Sequence, residues 1–257
     1  PTAAKLGTIL ADLSHFGLLH FSGDDAQAFL QSQLSCDVSS LTSNKSTYGS
    51  YCTPKGRILS TFLSWRSEQG FLMQLPSSLR ESIQKRLSTF ILRAKVKAVD
   101  ASDAYARFGI AGDGADTILK RIFGEAPAAM HEVRHPQGVM LIRLPLARYE
   151  IVVPSEKAAA VRDALKQDAA EAGPQTWDRL DIRAGVPVIT PATQEEFVPQ
   201  MVNLDLIGAL SYTKGCYPGQ EIVARMHYLG RLKQRMYLAH IAADAAPQPG
   251  DRLYSAD

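Results

Sequence analysis

The spacing of apolar residues along the chain changes repeatedly between the period of a strand and the period of a helix. Residues 58–65 form two alternating sets of side chains, as expected for a strand with two distinct faces. Leu79, Ile83 and Leu87 then recur at the spacing of one helix face. Because such exchanges recur along the chain, the pattern predicts an α+β fold rather than a helical bundle or a β-sandwich.

Turn and capping residues place the boundaries of the predicted elements. Residues 48–100 have the order β-β-β-α-β around a hairpin at residues 53–56. Ser78 and Glu81 have the spacing of a capping box, and the buried face of their helix is predicted to extend to Phe90 and Ile91. The predicted strands are 17–21, 58–65, 71–75, 95–99, 105–111, 139–144 and 149–153, and the other predicted helices begin near Asp24 or Asp25 or cover 115–123, 155–171, 177–184 and 218–228.

Composition and charge exclude several classes of protein. A chain of 257 residues, of which 46% are apolar, can bury a sizeable core. The formal net charge of +2 argues against a histone-like nucleic-acid binder. No apolar run has the roughly 18 residues of a membrane helix, and no signal peptide is visible. The three cysteines are widely separated in the sequence and do not make a disulfide scaffold. We expect a soluble, cytoplasmic protein without membrane contact.

One short motif resembles a zinc site. His131, Glu132 and His135 have the spacing of the zinc-peptidase motif, which requires both imidazoles on consecutive turns of one helix. Pro136 directly follows the second histidine and disfavours helical geometry there. Residues four apart in an extended segment are roughly 13 Å apart, too far to share one metal. We therefore expect no metal site.

A group of basic residues leaves two interpretations open. Arg231, Lys233 and Arg235 alternate with Leu232 and other apolar residues, which predicts a strand with one cationic face. That face is either simply solvated or binds anions such as carboxylates, phosphates or an RNA backbone. Three cations in a chain of nearly neutral charge do not establish a nucleic-acid binder.

Residues 214–221, Lys-Gly-Cys-Tyr-Pro-Gly-Gln-Glu, contain the most informative motif. Pro218 is well suited to the first turn of a helix, so Cys216 is expected just ahead of a helix N-terminus. The positive end of that helix and the ammonium of Lys214 favour a thiolate, which predicts a more reactive thiol than Cys36 or Cys52. The alternative is an inert cysteine in the core.

This motif resembles the signature of the folate-binding YgfZ family, which is related to the glycine-cleavage T-protein. The match runs without a gap from Lys214 to Glu221, and the resemblance extends over most of the chain. Weaker similarities are found at residues 31–38, in the hairpin 53–57, at Trp177 with residues 184–189, and at residues 197–204. Singly these are weak, but together they support the same family.

The resemblance implies a T-protein-like fold, with α+β subdomains around a central cavity for tetrahydrofolate or a derivative. Residues 1–240 would form the folate-binding module, with residues 48–100 as a ferredoxin-like subdomain inserted in it. Residues 241–257 would begin a C-terminal β-barrel, of which only the start is present. The family further implies a role in assembly or repair of iron–sulfur enzymes, including those that modify tRNA, as partners.

The resemblance also assigns candidate site residues. Trp177 and Phe16 would stack on a flat heterocycle, and Arg183 stands where many relatives have glutamate. The paired aspartates of T-proteins are replaced by Ser60 and Thr61, which argues against glycine-cleavage chemistry. The expected functional thiol is Cys216, tuned by Lys214, and the remaining candidates around the folate are Gly215, Tyr217, Gly219, Gln220 and Glu221.

Three functions therefore remain open on the sequence. An accessory protein for iron–sulfur enzymes is preferred over a catalyst, because the carboxylate pair of the T-proteins is missing. A folate-dependent aminomethyltransferase is the first alternative and would require another acid near the cavity. An RNA-interacting accessory protein, using Arg231, Lys233 and Arg235, is the second.

Overall fold

The structure is a computed structural model that describes residues 7–241, 247–252 and 254, and these residues fold around two β-sheets. The predicted α+β class is confirmed. The strands are β1 (Ile9–Asp12), β2 (Phe16–Ser22), β3 (Ser46–Cys52), β4 (Ile58–Ser67), β5 (Gly70–Pro76), β6 (Lys97–Asp100), β7 (Tyr105–Ala111), β8 (Val133–Arg134), β9 (Met140–Leu144), β10 (Arg148–Pro154) and β11 (Ala170–Ala172). The helices of eight or more residues in the described chain are α1 (Ala26–Gln33), α2 (Ser77–Ser88), α3 (Ala115–Phe123), α4 (Ala158–Lys166), α5 (Pro174–Ala184) and α6 (Gln220–Tyr228).

The five-stranded sheet is built around the predicted hairpin and has the order β3-β4-β5-β2-β6. All its neighbouring strands are antiparallel. Helix α2 packs on this sheet through Leu79, Ile83 and Leu87, as the helical pattern predicts. Strand β2 precedes residues 48–100 in the chain, yet it lies between β5 and β6. The expected domain boundaries stay a prediction.

The six-stranded sheet has the order β11-β1-β7-β10-β9-β8, in which only β11 and β1 run parallel. The predicted helix over 155–171 was wrong at its C-terminal end. Helix α4 stops at Lys166, and residues 170–172 form β11 beside β1. Residues 170–172 consist of alanine and glutamate, which prefer a helix. They form a strand because the edge of the sheet at β1 offers them backbone hydrogen bonds.

The predicted start of α1 at Asp24 or Asp25 is confirmed, whereas the predicted capping box and the predicted end of α2 are wrong. The capping box at Ser78 was wrong, because Pro76 is the N-cap of α2 and no side chain caps it. Asp25 is the N-cap of α1, but its carboxylate accepts from the backbone N–H of Lys95 at 2.8 Å instead of capping the helix. Helix α2 ends at Ser88, so Phe90 lies beyond it and is 47% exposed rather than buried.

The core has two layers, because the six-stranded sheet is covered on both faces. Its outer face packs against α3 and α4, through buried residues such as Ile118, Leu119 and Leu165. Its inner face belongs to a larger core that includes Ala11, Ala111 and the five-stranded sheet. The space between the two sheets is therefore the centre of the molecule.

The segment that follows α6 does not form the predicted strand. Residues 230–241 have no strand hydrogen bonds among the described residues, so the alternation of Arg231, Lys233 and Arg235 was misread. A strand requires a neighbour to pair with, and no described strand lies beside this segment. The expected barrel start at 241–257 falls partly on residues 242–246, 253 and 255–257, which lie outside the described residues. No described helix combines the length and the apolar composition needed to cross a membrane.

Candidate functional site

A narrow cavity of about 40 Å³ lies between the two sheets. It is bounded by β3, β4 and β5 on one side, by β10 on the other, and by α5 with the following residues 186–188. Apolar and aromatic side chains make up most of the wall, while a few polar groups converge on it. The aromatic residues are Phe16, Tyr48, Phe62 and Trp177, and the polar ones are Thr61, Gln74, Glu150 and Asp181.

Trp177, one of the two predicted stacking residues, lies in the wall of this cavity, and only 1% of it is exposed. Its ring can approach β7 because residue 109 is glycine: a Cβ atom there would lie 2.4 Å from the ring. The guanidinium of Arg148 lies over the indole, 4.9 Å from the ring centre. Phe16, the second predicted stacking residue, also lines the cavity.

A buried ion pair adjoins the indole. Arg148, at the start of β10, donates a hydrogen bond of 2.7 Å to Asp181 of α5. Asp181 is one helical turn after Trp177, so both side chains leave the same face of α5. Burial raises the pKa of Asp181, while Arg148 opposes that rise. The Nη2 atom of Arg148 is buried without a hydrogen-bond partner in the described chain.

A second carboxyl group, Glu150, lies on the same face of β10 as Arg148 and is 1% exposed. Its Oε2 atom accepts a hydrogen bond of 2.9 Å from Gln74, while its Oε1 atom and the Oε1 atom of Gln74 have no partner among the described residues. Burial raises the pKa of Glu150 to about 7, against the opposing charge of Arg107. The cavity therefore presents unpaired acceptor atoms and a carboxyl group that titrates near neutral pH.

Arg107 supports this carboxyl group from β7. One of its terminal nitrogens donates to the carbonyl of Phe16 at 2.8 Å, and burial lowers its pKa. The side chain is 5% exposed, and its other two guanidinium nitrogens are unpaired within the described chain. Arg107 thus links the positive charge near Glu150 to the strand that positions Phe16.

The hydroxyl residues at the aspartate positions of T-proteins have different orientations. Thr61 lines the cavity, and its hydroxyl accepts a hydrogen bond of 3.2 Å from the backbone of Ile189. Ser60 is fully buried and donates to the carbonyl of Thr61. Neither supplies a carboxylate, and the carboxylates of the cavity come from β10 and α5 instead.

The signature loop, residues 214–219, lies against the hairpin and ends at the N-terminus of α6. Gly219 is the N-cap of α6 with φ +83°, and a Cβ atom there would lie 2.5 Å from the Cα atom of Gly56. Tyr217 is buried, and its hydroxyl has no hydrogen-bond partner among the described residues. Gly215 has φ +98° with open space around it, so it is needed for its backbone conformation alone.

Lys214 and Cys216 both line an open groove of about 500 Å³ beside α1, together with residues such as Gln27 and Ser39. Cys216 is exposed, so the alternative that it is an inert cysteine buried in the core is wrong. The ammonium of Lys214 donates to the carbonyl of Gln31 and lies 5.1 Å from the ring centre of Tyr217. Burial lowers the pKa of Lys214.

The other two cysteines differ sharply from Cys216. Cys36 and Cys52 are each 2% exposed. Burial raises the pKa of each of these thiols to about 12. At neutral pH both thiols are protonated and therefore unreactive. Cys216, in contrast, is exposed, so solvent and partners can reach its thiol.

Gln31 anchors the signature loop, and sequence reasoning assigned it no role. Its amide nitrogen donates to Asp37 at 2.9 Å and to the carbonyl of Lys214 at 3.2 Å. Its amide oxygen accepts from the backbone of Val38 at 2.7 Å and of Ser39 at 3.2 Å. The only available signal was its position in the 31–38 similarity, which does not reveal long-range contacts.

The candidate residues fall into two groups that the structure keeps apart. Trp177 and Phe16 line the central cavity, whereas Cys216 and Lys214 line the groove and are absent from the cavity wall. Arg183 is on the exposed side of α5, away from both. Gln220 is half-buried and Glu221 is exposed in the first turn of α6, and neither side chain forms a hydrogen bond within the described part of the chain.

The histidines of the zinc-like motif do not share a helix. Residues 133 and 134 between them form β8, as their predicted extended conformation requires. His131 has its Nδ1 atom 3.2 Å from the hydroxyl of Ser46, and His135 has its Nε2 atom 2.6 Å from the carbonyl of Ser43. Each ring thus has its own local partner.

Comparisons with known proteins agree with this architecture. The sequence profile of the GCVT N-terminal domain family matches residues 2–142. The tRNA-modifying protein YgfZ of Colwellia psychrerythraea is 34% identical over 239 residues, covering 92% of this chain and 73% of the relative. The protein of that name from Shigella boydii is 33% identical over 256 residues, covering 98% of this chain and 78% of the relative.

A solved structure supports the fold. The glycine cleavage system aminomethyltransferase T from Bartonella henselae superposes with a TM-score of 0.76 at 18% identity, over 88% of this chain. This chain spans 64% of the length of that enzyme. The superposition confirms the predicted T-protein-like fold, and at this identity it carries no argument about activity.

Proposed function

Because this chain belongs to the YgfZ family of GcvT-related proteins, we propose that it binds tetrahydrofolate or a derivative and supports iron–sulfur enzymes that modify tRNA. Its relatives carry the name tRNA-modifying protein, and that name supports the RNA-modification part of the proposal. The folate would bind in the central cavity, and we expect the protein to act in the cytoplasm. The iron–sulfur enzymes would be its protein partners.

The observation that carries the folate proposal is the set of unpaired polar atoms beside Trp177. A pterin ring is flat and has an edge of N–H donors next to a carbonyl oxygen. Glu150 and Gln74 present unpaired acceptor oxygens, and Arg148 presents an unpaired donor. Trp177 and Phe16 supply aromatic surface at the same cavity. The chemistry of these residues fits a pterin, and bound folate would supply a carrier for one-carbon units.

The size of the cavity sets a condition on this proposal. A volume of about 40 Å³ accommodates about three water molecules, less than a two-ring heterocycle occupies. The cavity must therefore widen on binding. Residues 186–188 border it and follow α5 directly, and Val188 is 43% exposed, so this segment is the part of the wall we expect to move.

Calorimetric titration with tetrahydrofolate tests the cavity. We expect the wild type to bind, and Trp177→Ala and Glu150→Gln each to weaken binding at least tenfold. Trp65→Phe is the matched control: Trp65 is the other tryptophan and is fully buried elsewhere, against Met140. In that variant, quenching of the remaining indole reports on Trp177 alone. Absence of binding to the wild type would refute the folate proposal.

Cys216 is the residue we propose for the iron–sulfur role, because it is the exposed thiol in the family signature. In a bacterial strain lacking its own YgfZ protein, we expect Cys216→Ser to fail to restore iron–sulfur enzyme activity, while Cys52→Ala restores it. Full restoration by Cys216→Ser would exclude the thiol mechanism.

A folate-dependent one-carbon transferase is the second candidate, and one observation favours it. Such an enzyme would require an acid near the folate, and Glu150 and Asp181 provide two carboxyl groups at the cavity although Ser60 and Thr61 do not. A folate-dependent transfer assay with a glycine-derived aminomethyl donor separates the candidates. Turnover that is lost in Glu150→Gln would establish the transferase, and its absence would leave the accessory role.

A further inference from the structure

The last turn of α6 and the segment after it form an aromatic and basic surface outside the folate cavity. The rings of Tyr212 and His227 stack with centres 4.0 Å apart and an interplanar angle of 15°. Tyr228 packs edge-on against both rings and remains 66% exposed. This ring cluster is defined by these three residues, and its outer face is open to solvent.

Three basic residues on α6 and in the segment after it are close in sequence to the ring cluster. Arg225, Arg231 and Lys233 are exposed, and their side chains form no ion pair or hydrogen bond with another described residue. Arg235, in contrast, pairs with Asp205 at 2.7 Å and is not available to a ligand. Of the three cations that the sequence placed on a strand, only Arg231 and Lys233 are therefore free, within the described chain, to contact a ligand. Arg225 of α6 is the third such cation of this surface.

The ring cluster and these cations are neighbours along the chain, and Arg225 is one helical turn before Tyr228. The Arg235–Asp205 pair is close enough to Tyr212 for both charges to act on its pKa, which burial raises. The chain from Tyr228 to Arg235 thus starts and ends beside the ring cluster, and Arg231 and Lys233 lie within that span. The nearest exposed acid on α6 is Glu221, one turn before Arg225, so positive charge predominates.

We propose that this surface binds single-stranded RNA, with bases on the ring cluster and phosphates at Arg225, Arg231 and Lys233. Exposed aromatic rings among basic residues are the combination that stacks unpaired bases and neutralises their backbone. Leu229, Tyr237 and Leu238 in the same segment are also exposed and would suit a protein partner, which the self-association measurement below separates from RNA binding. The proposal rests on the proposed role in tRNA modification, and it names unpaired RNA as the substrate class that this surface contacts.

Fluorescence anisotropy with an unmodified tRNA transcript and with a twelve-nucleotide oligouridylate tests the proposal. We expect wild-type affinity to fall with salt with a log–log slope of about −2, as three phosphate contacts require. Tyr228→Ala should weaken binding at least about fivefold, as expected for loss of one stacked base, whereas Tyr228→Phe should bind like the wild type. Phe90→Ala, which removes an exposed ring elsewhere, is the control.

A charge-matched pair of variants isolates the cations. Replacing Arg225, Arg231 and Lys233 by alanine should weaken binding at least tenfold and bring the salt slope near zero. The same change at Lys85, Arg93 and Lys97, which are exposed elsewhere, should leave both unchanged. Equal losses in the two triple variants, or no binding at 50 mM salt, would overturn the proposal. Concentration-dependent self-association that Tyr228→Ala abolishes, without RNA binding, would make the surface a protein interface instead.

Failure of this proposal is distinguishable from failure of the folate proposal. The ring cluster does not line the central cavity, so the tetrahydrofolate titration should be unchanged in every RNA-surface variant. A wild-type protein that binds tetrahydrofolate but not RNA contradicts only the RNA surface, and one that binds RNA but not tetrahydrofolate contradicts only the cavity.

Discussion

Arg148 donates a hydrogen bond of 2.7 Å to Asp181, and both side chains are at least nine-tenths buried. This contact joins the first residue of β10 to the middle of α5, and so holds the helix that positions Trp177 against the sheet. Removing one partner of a buried ion pair leaves an uncompensated charge in the interior, which is costly. The pair is therefore a constraint on the cavity wall.

The two halves of this pair should differ in their sensitivity to substitution. Asp181→Asn leaves a buried guanidinium that cannot lose its proton, so we expect a loss of about 3–5 kcal/mol in the free energy of unfolding. Arg148→Met leaves a carboxyl group whose pKa is already raised by burial and which can take up a proton, so we expect a smaller loss. Urea denaturation at pH 6 measures both.

Arg121→Met, which breaks the exposed pair with Asp168, is the control and should change stability by no more than about 0.5 kcal/mol. If Arg148→Met were at least as destabilising as Asp181→Asn, then protonation of Asp181 would not reduce the cost of losing Arg148.

Glu150 should make the free energy of unfolding depend on pH in a particular direction. Its pKa is raised to about 7 from an ordinary value of 4.5, so between these values the folded state holds a proton that the unfolded state has released. Stability should therefore fall as pH rises from about 4.5 to 7, by about 3 kcal/mol, and then level off. Glu150→Gln should remove the contribution of Glu150 and leave that of other shifted groups such as Asp181.

The pH profile is measured by urea denaturation at intervals between pH 4 and pH 8. Glu68→Gln, at an exposed carboxylate, is the control and should keep the wild-type profile. A wild-type profile that rises over this interval, with the same rise in Glu150→Gln, would show that Glu150 is not protonated when folded.

The sequence did not reveal these charged groups, and the reason lies in the sheet. Arg148 and Glu150 alternate with Tyr149 and Ile151, which usually indicates a strand with one solvent-facing side. In the structure both faces of β10 are buried, one under α3 and α4 and the other at the cavity. Which face is covered depends on distant elements. Trp177 and Phe16, which a family pattern identified, line the cavity, and their role toward a ligand stays a prediction.

The fold was predictable where elements are long and regular, as for the hairpin strands, α2 and α3. It was not predictable at β1 and β11, because these strands have only four and three residues. Their conformation depends on pairing with strands that are distant in the sequence. Residues 230–241 show the opposite error, since their alternation resembles a strand but no partner strand is described beside them. Local pattern indicates what a segment can form, and pairing decides whether it does.

Gly109 should be sensitive to the smallest possible substitution. A Cβ atom at this position would lie 2.4 Å from the ring of Trp177, and the buried indole has little room to move. We expect Gly109→Ala to lower the free energy of unfolding by about 1–3 kcal/mol, the usual cost of overpacking, and to weaken tetrahydrofolate binding. Gly7→Ala, which meets nothing within 4 Å, is the matched control. Unchanged stability and indole fluorescence in Gly109→Ala would contradict the close packing.

The three thiols should label in two distinct groups. Cys216 is exposed, whereas Cys36 and Cys52 are buried, and burial raises the pKa of each of these two to about 12. Mass spectrometry after maleimide treatment at pH 7.5 should therefore find one adduct per folded chain and three in urea. The folded Cys216→Ser variant should carry none. Fast labelling of a second cysteine in the folded wild type would show that a buried thiol opens to solvent.

The two glycines of the signature loop should differ in their tolerance of alanine. Both have positive φ, which costs a residue with a Cβ atom about 1–2 kcal/mol. Gly215 has open space around it, so Gly215→Ala should cost no more than that. At Gly219 the added Cβ atom would also lie 2.5 Å from Gly56 and 2.6 Å from the carbonyl of Thr53, which are backbone atoms that cannot rotate away.

Gly219→Ala should therefore destabilise the protein at least twice as much as Gly215→Ala in urea denaturation. Because the signature loop must move off the hairpin to accept the methyl group, the alkylation rate of Cys216 should also change in Gly219→Ala and stay near the wild-type rate in Gly215→Ala. Equal costs for the two variants would mean that the backbone conformation alone requires glycine, and that contact with the hairpin does not hold the loop.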